Sequence, residues 1–439
     1  MKIRRTSRAV AALMGAGALT VTAALATSTT AQASSNDIVY HVGPQTFVHA
    51  KGLKAHALPT PSQCIATYGL ACYTPQEIRR AYDIPDSWDG AGESIAIVDA
   101  YGSPTVQSDL DIFSATMGIP STTVHVYCPD GCPKTKTAHK GQPLGWAGET
   151  SLDVQWAHAI APAARINLVV ASNNYGNALN NAVRYAVSHD LGDVLSMSYG
   201  APESAIKGRA DNTQLKQAHA AFADATAKGI SLFASTGDDG ASFGEPAPTA
   251  NYPSSDPLVT GVGGTNLFTD DEGNYLDETV WGDQGAGCPF GCTFGPIGAT
   301  GGAPSVVFPA PAYQQGVTGN SMRTTSDVSY NASVYTAVLV YEGFNPNPDD
   351  NGLYFVGGTS SGSPQWAAIA ALADQQNGGN RLGALNPKLY PLAGTSAFHD
   401  VTTGNNAWDG PGFDGAVGYD YPTGIGSPDV ANLVAALTH

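Results

Sequence analysis

The segment Gly357-Gly358-Thr359-Ser360-Ser361-Gly362-Ser363-Pro364 runs directly into the apolar stretch Gln365 to Leu372. A serine in a glycine-rich approach to a buried helix exposes its hydroxyl where backbone N–H groups and the helix dipole favour developing negative charge. Such a hydroxyl is a nucleophile only with a base in reach. Ala147 to Trp156 offers Glu149 and Asp153, four residues apart on a predicted helix and so on one face of it. Two buried acids this close can keep one proton between them, leaving one as a base and the other to orient it. Trp146, Leu152, Val154 and Trp156 around them argue for burial. A third candidate, Asp238 in Ser235-Thr236-Gly237-Asp238-Asp239-Gly240, stands just beyond a predicted strand. Taken singly, each segment also has a structural reading: a helix cap, a solvated acidic face and a Gly-Asp turn.

Histidine does not fit the base role. His158 lies on the same predicted helix, but at about 100° per residue it points roughly opposite Glu149 and away from Asp153. It is expected to be structural or to lie at the surface. None of the ten histidines is followed by glycine, so the His-Gly-Thr helix start of the subtilisins is missing.

These residues need a scaffold, and the chain alternates strand and helix patterns. Ser94 to Val98, Arg165 to Val170, Val194 to Ser196, Ser231 to Ala234 and Leu258 to Val262 read as strands. Between and after them, Ala147 to His158, Ala178 to Val187, Leu215 to Lys228, Pro364 to Gln376 and Asp429 to Leu437 read as helices. Such units imply an α/β fold with a mainly parallel, doubly wound sheet covered on both faces, its site at the C-terminal strand ends. Residues 270–352, rich in Gly, Pro, Asn and Tyr, read as large surface excursions.

Composition narrows the partners. The formal charge is −17 over 439 residues, a field that repels nucleic acid and anionic membrane. A basic start, an apolar alanine-rich run and Ala31-Gln32-Ala33 predict a signal peptide over residues 1–33, hence export to the extracellular space and no membrane attachment after cleavage. Cleavage removes four cationic side chains and no acid, and the self-repulsion left behind relaxes as carboxylates protonate. Six cysteines fall into the local pairs Cys64 and Cys72, Cys128 and Cys132, and Cys288 and Cys292, expected as short-loop disulfides, with a metal site the weaker alternative. Residues 34–60 show no core-forming pattern and read as a leader arm, and residues 61–439 as the catalytic domain.

Together the motifs resemble the sedolisin family of serine-carboxyl peptidases, which share the subtilisin fold and use carboxylates in place of histidine. The resemblance runs from about Tyr73 to the C-terminus. It implies that Ser360 is the nucleophile, although Gly357 stands where the family pattern Ser-Gly-Thr-Ser-x-x-x-Pro begins with serine. It further implies Glu149 as general base and acid, Asp153 as its partner, and Asp238 as an oxyanion-hole acid acting with the Ser360 N–H. Asp99 matches the position of an auxiliary acid, and Leu195 to Gly200 matches with Tyr199 where some relatives have Trp. In the tail, the resemblance implies one structural calcium held by the Asp400 and Asp420 carboxylates and the carbonyls of Val401, Ala416 and Gly418, Ala416 replacing the usual glycine. Calcium prefers such an all-oxygen shell. The expected activity is acid endoproteolysis of protein or peptide substrates by a monomer. The alternative is a secreted, non-catalytic binding protein that retains the fold and the calcium site. Family members usually carry a large folded prodomain, in place of which only the short leader is assigned here.

Overall fold

The apolar run from Ser94 becomes strand β1 (Ser94–Ala100), buried from its second residue onward because both faces of its sheet are covered. Its side chains alternate: Ile95 and Ile97 enter one hydrophobic core, Ala96, Val98 and Ala100 the other. The computed structural model describes residues 37–43, 48–53, 58–133, 142–284 and 288–438. The predicted signal peptide lies outside them, and the described residues belong to one unit, Ser35–His439.

The central sheet adds β2 (Val124–Tyr127), β3 (Arg165–Ala171), β4 (Val194–Met197), β5 (Ser231–Ser235), β6 (Thr260–Thr269), β7 (Tyr275–Val280) and β8 (Val328–Asn331). Its order is β7-β6-β5-β4-β1-β3-β2, with β8 also paired to β6. Every pairing is parallel except β6 with β7. From β1 the chain passes to the edge strand β2, returns to β3 beside β1 and crosses to β4 on the other side of β1, so the switch point, where such sheets open a crevice, falls at the C-terminal end of β1.

Helices α1 (Val106–Met117), α2 (Gln142–Ile160), α5 (Thr359–Gln376) and α6 (Val430–Thr438) pack into one core. Helices α3 (Gly176–Ser188) and α4 (Thr213–Ala227) pack into the other. A smaller sheet orders Val48–His49, Gly352–Val356, Thr336–Glu342 and Ala71–Tyr73. It pins α2: Trp156 Nε1 donates to the Leu339 carbonyl at 3.0 Å, and the Gln155 amide exchanges two 2.8 Å bonds with Tyr341. The three expected disulfides are formed.

Two expectations change. Residues 270–352 are not only surface excursions, since β7 and β8 complete the central sheet and Thr336–Glu342 is almost wholly buried. The dense Gly, Asn and Tyr around these short strands hid their apolar runs. Helix α5 begins at Thr359, five residues before the expected Pro364, because the Gly- and Ser-rich run 359–363 has no apolar periodicity to mark it as helical. Pro364 instead lies inside the helix, where it cannot donate to the Ser360 carbonyl. That carbonyl faces the Ser198 hydroxyl at 3.4 Å.

One buried ion pair ties β8 to the rest of the core. Arg323 and Asp327 are both fully buried, joined by bonds of 2.7 and 2.5 Å, and Asp327 also accepts from the Gly261 N–H and the Tyr390 hydroxyl at 2.7 Å each. Arg323→Met leaves a buried carboxylate without its cation and is expected to cost about 3–5 kcal/mol, read from urea unfolding midpoints.

Candidate active site

Helix α2 carries Glu149 and Asp153 one turn apart, both without solvent exposure. Asp99, at the end of β1, is equally buried and lies near the Thr150 hydroxyl. Ser198, just past β4, donates its hydroxyl to Asp153 Oδ1 at 2.8 Å. The Glu149 carboxyl sits between Asp153 and the Ser360 hydroxyl, close enough to interact with both. Neither Glu149 oxygen completes a well-aligned hydrogen bond among the described residues. Catalytic contacts of this kind often tighten only in the transition-state complex.

Burial dominates the electrostatics. It pushes the Asp99 carboxyl up to about 7 and holds Glu149 and Asp153 well above the usual carboxylate range. Mutual repulsion adds to this, Asp153 and Asp99 acting on Glu149, and Asp99 on Asp153. Three acids buried this close together retain protons that isolated carboxylates would lose.

Ser360 lies in the first turn of α5, where backbone N–H groups have no partner within the helix. Across from it, Asp238 Oδ1 accepts from the Thr359 N–H and the Thr359 hydroxyl, both at 2.8 Å. The same hydroxyl accepts from the Gly237 N–H at 3.0 Å. Asp238 Oδ2 is buried with no hydrogen-bond partner among the described residues. Burial raises the Asp238 carboxyl to about 6, with the Thr359 bonds opposing the shift. Gly358 allows this approach twice over: its φ is +117°, and a Cβ there would stand 2.6 Å from Asp238 Oδ2.

The structure therefore brings Ser360, Glu149, Asp153, Asp238 and Asp99 together and leaves His158 apart. His158 is buried, its Nε2 2.7 Å from the Pro120 carbonyl, so it is a structural residue. Sequence reasoning gave no role to Ser198, which orients Asp153, or to Thr359, which holds Asp238. The signals were present as a serine just past a buried strand and a threonine directly before the candidate nucleophile.

In the tail, Asp400 and Asp420 lie close enough for the Asp400 charge to act on Asp420, whose carboxyl is raised to about 6, chiefly by burial. Asp420 accepts from the Ala416 N–H at 2.9 Å and from the Thr423 N–H and hydroxyl at 2.8 Å, and Asp400 from the Gly418 N–H at 2.9 Å. Among the described residues, no Lys or Arg pairs with either acid, and nothing donates to the carbonyls of Val401, Ala416 and Gly418. Two uncompensated carboxylates beside free carbonyls fit a hard cation with oxygen ligands. No cluster of three or more His, Cys, Asp or Glu that could hold a metal occurs among the described residues, so an ion here would depend on those carbonyls.

Comparison with known proteins agrees with this geometry. The Subtilase family profile matches residues 139–390. Kumamolisin from Bacillus sp. (strain MN-32) is 33% identical over 380 residues, covering 83% of this chain and 63% of the relative. Sedolisin from Pseudomonas sp. (strain 101) is 31% identical over 386 residues, covering 83% of this chain and 61% of the relative. The chain thus spans somewhat over 60% of the length of these two relatives. The solved structure of Pseudomonas sedolisin, a serine-carboxyl proteinase complexed with pseudo-iodotyrostatin, superposes with a TM-score of 0.72 at 28% identity, covering 83% of this chain and 98% of that one. With these matches, and with histidine apart from the site and buried acids beside a helix-borne serine, the chain belongs to the subtilase family, in its sedolisin branch.

Proposed function

We propose that this protein is a secreted, acid-active endopeptidase that cleaves protein or peptide substrates through an acyl-enzyme on Ser360. The observation that carries this reading is the buried run of acids Asp99, Asp153 and Glu149 ending at the Ser360 hydroxyl, with the unpartnered Asp238 oxygen across from it. Glu149, ionised and held by Asp153, accepts the Ser360 proton as the hydroxyl oxygen attacks the scissile carbonyl. The tetrahedral oxyanion takes hydrogen bonds from protonated Asp238 and the Ser360 N–H. On collapse, Glu149 passes its proton to the departing amine, and water repeats the sequence in reverse to release the acyl group.

The two acids set the pH dependence. Asp238 donates only while protonated, so turnover falls as pH rises through about 6. Glu149 must ionise to act as a base, which closes the profile on the acid side. Assayed on denatured protein from pH 3 to 8, activity is expected to peak below neutrality; an alkaline peak or no hydrolysis would overturn the reading. Asp238→Ala removes one oxyanion donor and is expected to lower kcat by about 100-fold to 1,000-fold.

The predicted signal peptide and the three disulfides support export, where such bonds persist. Among the described residues no helix is long and apolar enough to cross a membrane. We assign one structural calcium to the Asp400 and Asp420 carboxylates and the carbonyls of Val401, Ala416 and Gly418. Bound there, it would neutralise two neighbouring acids and tie the tail loops together. A chelator is expected to lower the melting temperature, added calcium to restore it, and Asp420→Asn to abolish the response. The proposed active species is a monomer, checked by its sedimentation velocity.

A further inference from the structure

Strand β1 runs into a strained residue. Tyr101, next after Ala100 and two residues beyond Asp99, has φ +63°, and across it the Gly102 N–H donates to the Ala100 carbonyl at 2.6 Å. This is a γ-turn of the rare hand, a conformation that crowds the Cβ of any residue but glycine. Among the described residues most left-handed positions carry glycine, and Gly102 itself has φ +65°. Backbone strain of this kind persists only where the surroundings hold it, and it gathers at functional sites. The tyrosine side chain must therefore contribute something that glycine cannot.

Two contacts define that contribution. The Tyr101 hydroxyl donates to Asn174 Oδ1 at 3.0 Å, which fixes the free end of a partly exposed side chain to a buried amide. Its ring meets Trp146 edge-on, with centroids 6.4 Å apart and planes at 63°. Trp146 is fully buried and its indole N–H has no hydrogen-bond partner among the described residues, so packing alone holds it, with the Tyr199 ring also against it at 6.0 Å. It stands on α2 three residues before Glu149, and its carbonyl accepts at 2.9 Å from the Thr150 hydroxyl, the group that also lies near Asp99. Among the described residues of α2, Trp146 is the first that is buried, so this end of the helix is gripped there.

We propose that Tyr101 is a positioning residue for the reaction, clamping Trp146 so that the turn of α2 bearing Glu149 keeps its carboxyl at the Ser360 hydroxyl. A glycine at this position would relax the backbone and lose the clamp, so stability and catalysis pull in opposite directions here. This role rests on the peptidase reading above.

Tyr101→Gly in the full chain separates the two effects. Relief of the strained turn offsets the lost ring contacts, so the melting temperature is expected to stay within about 3 °C of the parent. A catalytic group displaced by about 1 Å can cost 100-fold, so kcat on a quenched peptide is expected to fall by about tenfold to 100-fold, with KM within about twofold. Tyr101→Phe, which keeps the ring against Trp146 and loses only the Asn174 bond, should recover most of kcat. Should Tyr101→Gly melt lower than this, Tyr101→Asn takes its place, since asparagine tolerates left-handed backbone and brings no ring. An unchanged kcat in a folded Gly or Asn variant, a rise in KM alone, or a Phe variant as slow as the ringless ones would each overturn the clamp while the parent still hydrolyses the peptide. A parent that hydrolyses nothing overturns the peptidase reading and, with it, any role at the base.

Discussion

Ser360→Ala is expected to abolish turnover, lowering kcat by on the order of 10⁶ as nucleophile deletions do in serine peptidases, with circular dichroism unchanged. The side chain removed is small, buried and not a packing anchor, so the fold should survive its loss. Removing the hydroxyl takes one hydrogen-bond partner from the buried Glu149 carboxyl, so the melting temperature should hold or fall slightly. The informative partner is Glu149→Gln, which keeps the shape and removes the base. If serine and carboxyl act as one proton-transfer unit, the double variant will be hardly slower than Ser360→Ala alone, because the second change deletes a base with nothing left to deprotonate. Multiplying losses would mean that Glu149 acts elsewhere, for example only in holding the fold. Residual hydrolysis in both variants then measures what Asp238 and substrate positioning supply without a nucleophile.

Much of this arrangement was legible because helices and strands have fixed periods. Glu149 and Asp153 had to share a face once α2 was a helix, and His158 had to leave it. The alternating units along β1 to β6 likewise required a wound parallel sheet. Tertiary partners were not legible. Nothing near Ser198 in the chain says that its hydroxyl will meet Asp153, 45 residues earlier, and Thr359 reaches Asp238 across 121 residues. Residues 37–43 show no periodic core pattern, yet Ile38 and Tyr40 are buried there and the arm's backbone pairs with Asn174, Gly176 and Gly200, partners more than 130 residues away that the local pattern does not announce. The family resemblance supplied residue roles, whereas distances and burial had to come from the structure.

The same buried acids predict an unusual stability profile. Burial raises the Asp99, Glu278, Glu342 and Asp374 carboxyls to about 7, and those of Asp238 and Asp283 to about 6. Each binds its proton more tightly in the folded protein than in the unfolded chain, where carboxyls titrate near 4. Folding is then linked to proton uptake. The contribution is fully present below about pH 4 and is lost as pH rises through 6 to 7, the reverse of a protein held by ionised salt bridges. At about 1.4 kcal/mol per unit, six groups yielding one unit each amount to roughly 8 kcal/mol, comparable with a whole domain's net stability. The melting temperature is expected to fall by more than about 10 °C between pH 5 and pH 8 in calorimetry. Glu278→Gln tests the cause. Glu278 is hydrogen-bonded to Tyr82, Thr265 and Ser427, none of them in the candidate site, and a neutral amide cannot ionise there. That variant should lose part of the downward slope, while a melting temperature that climbs or stays flat across this range in the parent protein would mean that the buried acids are ionised in the fold, and Asp238 could then not serve as a proton donor.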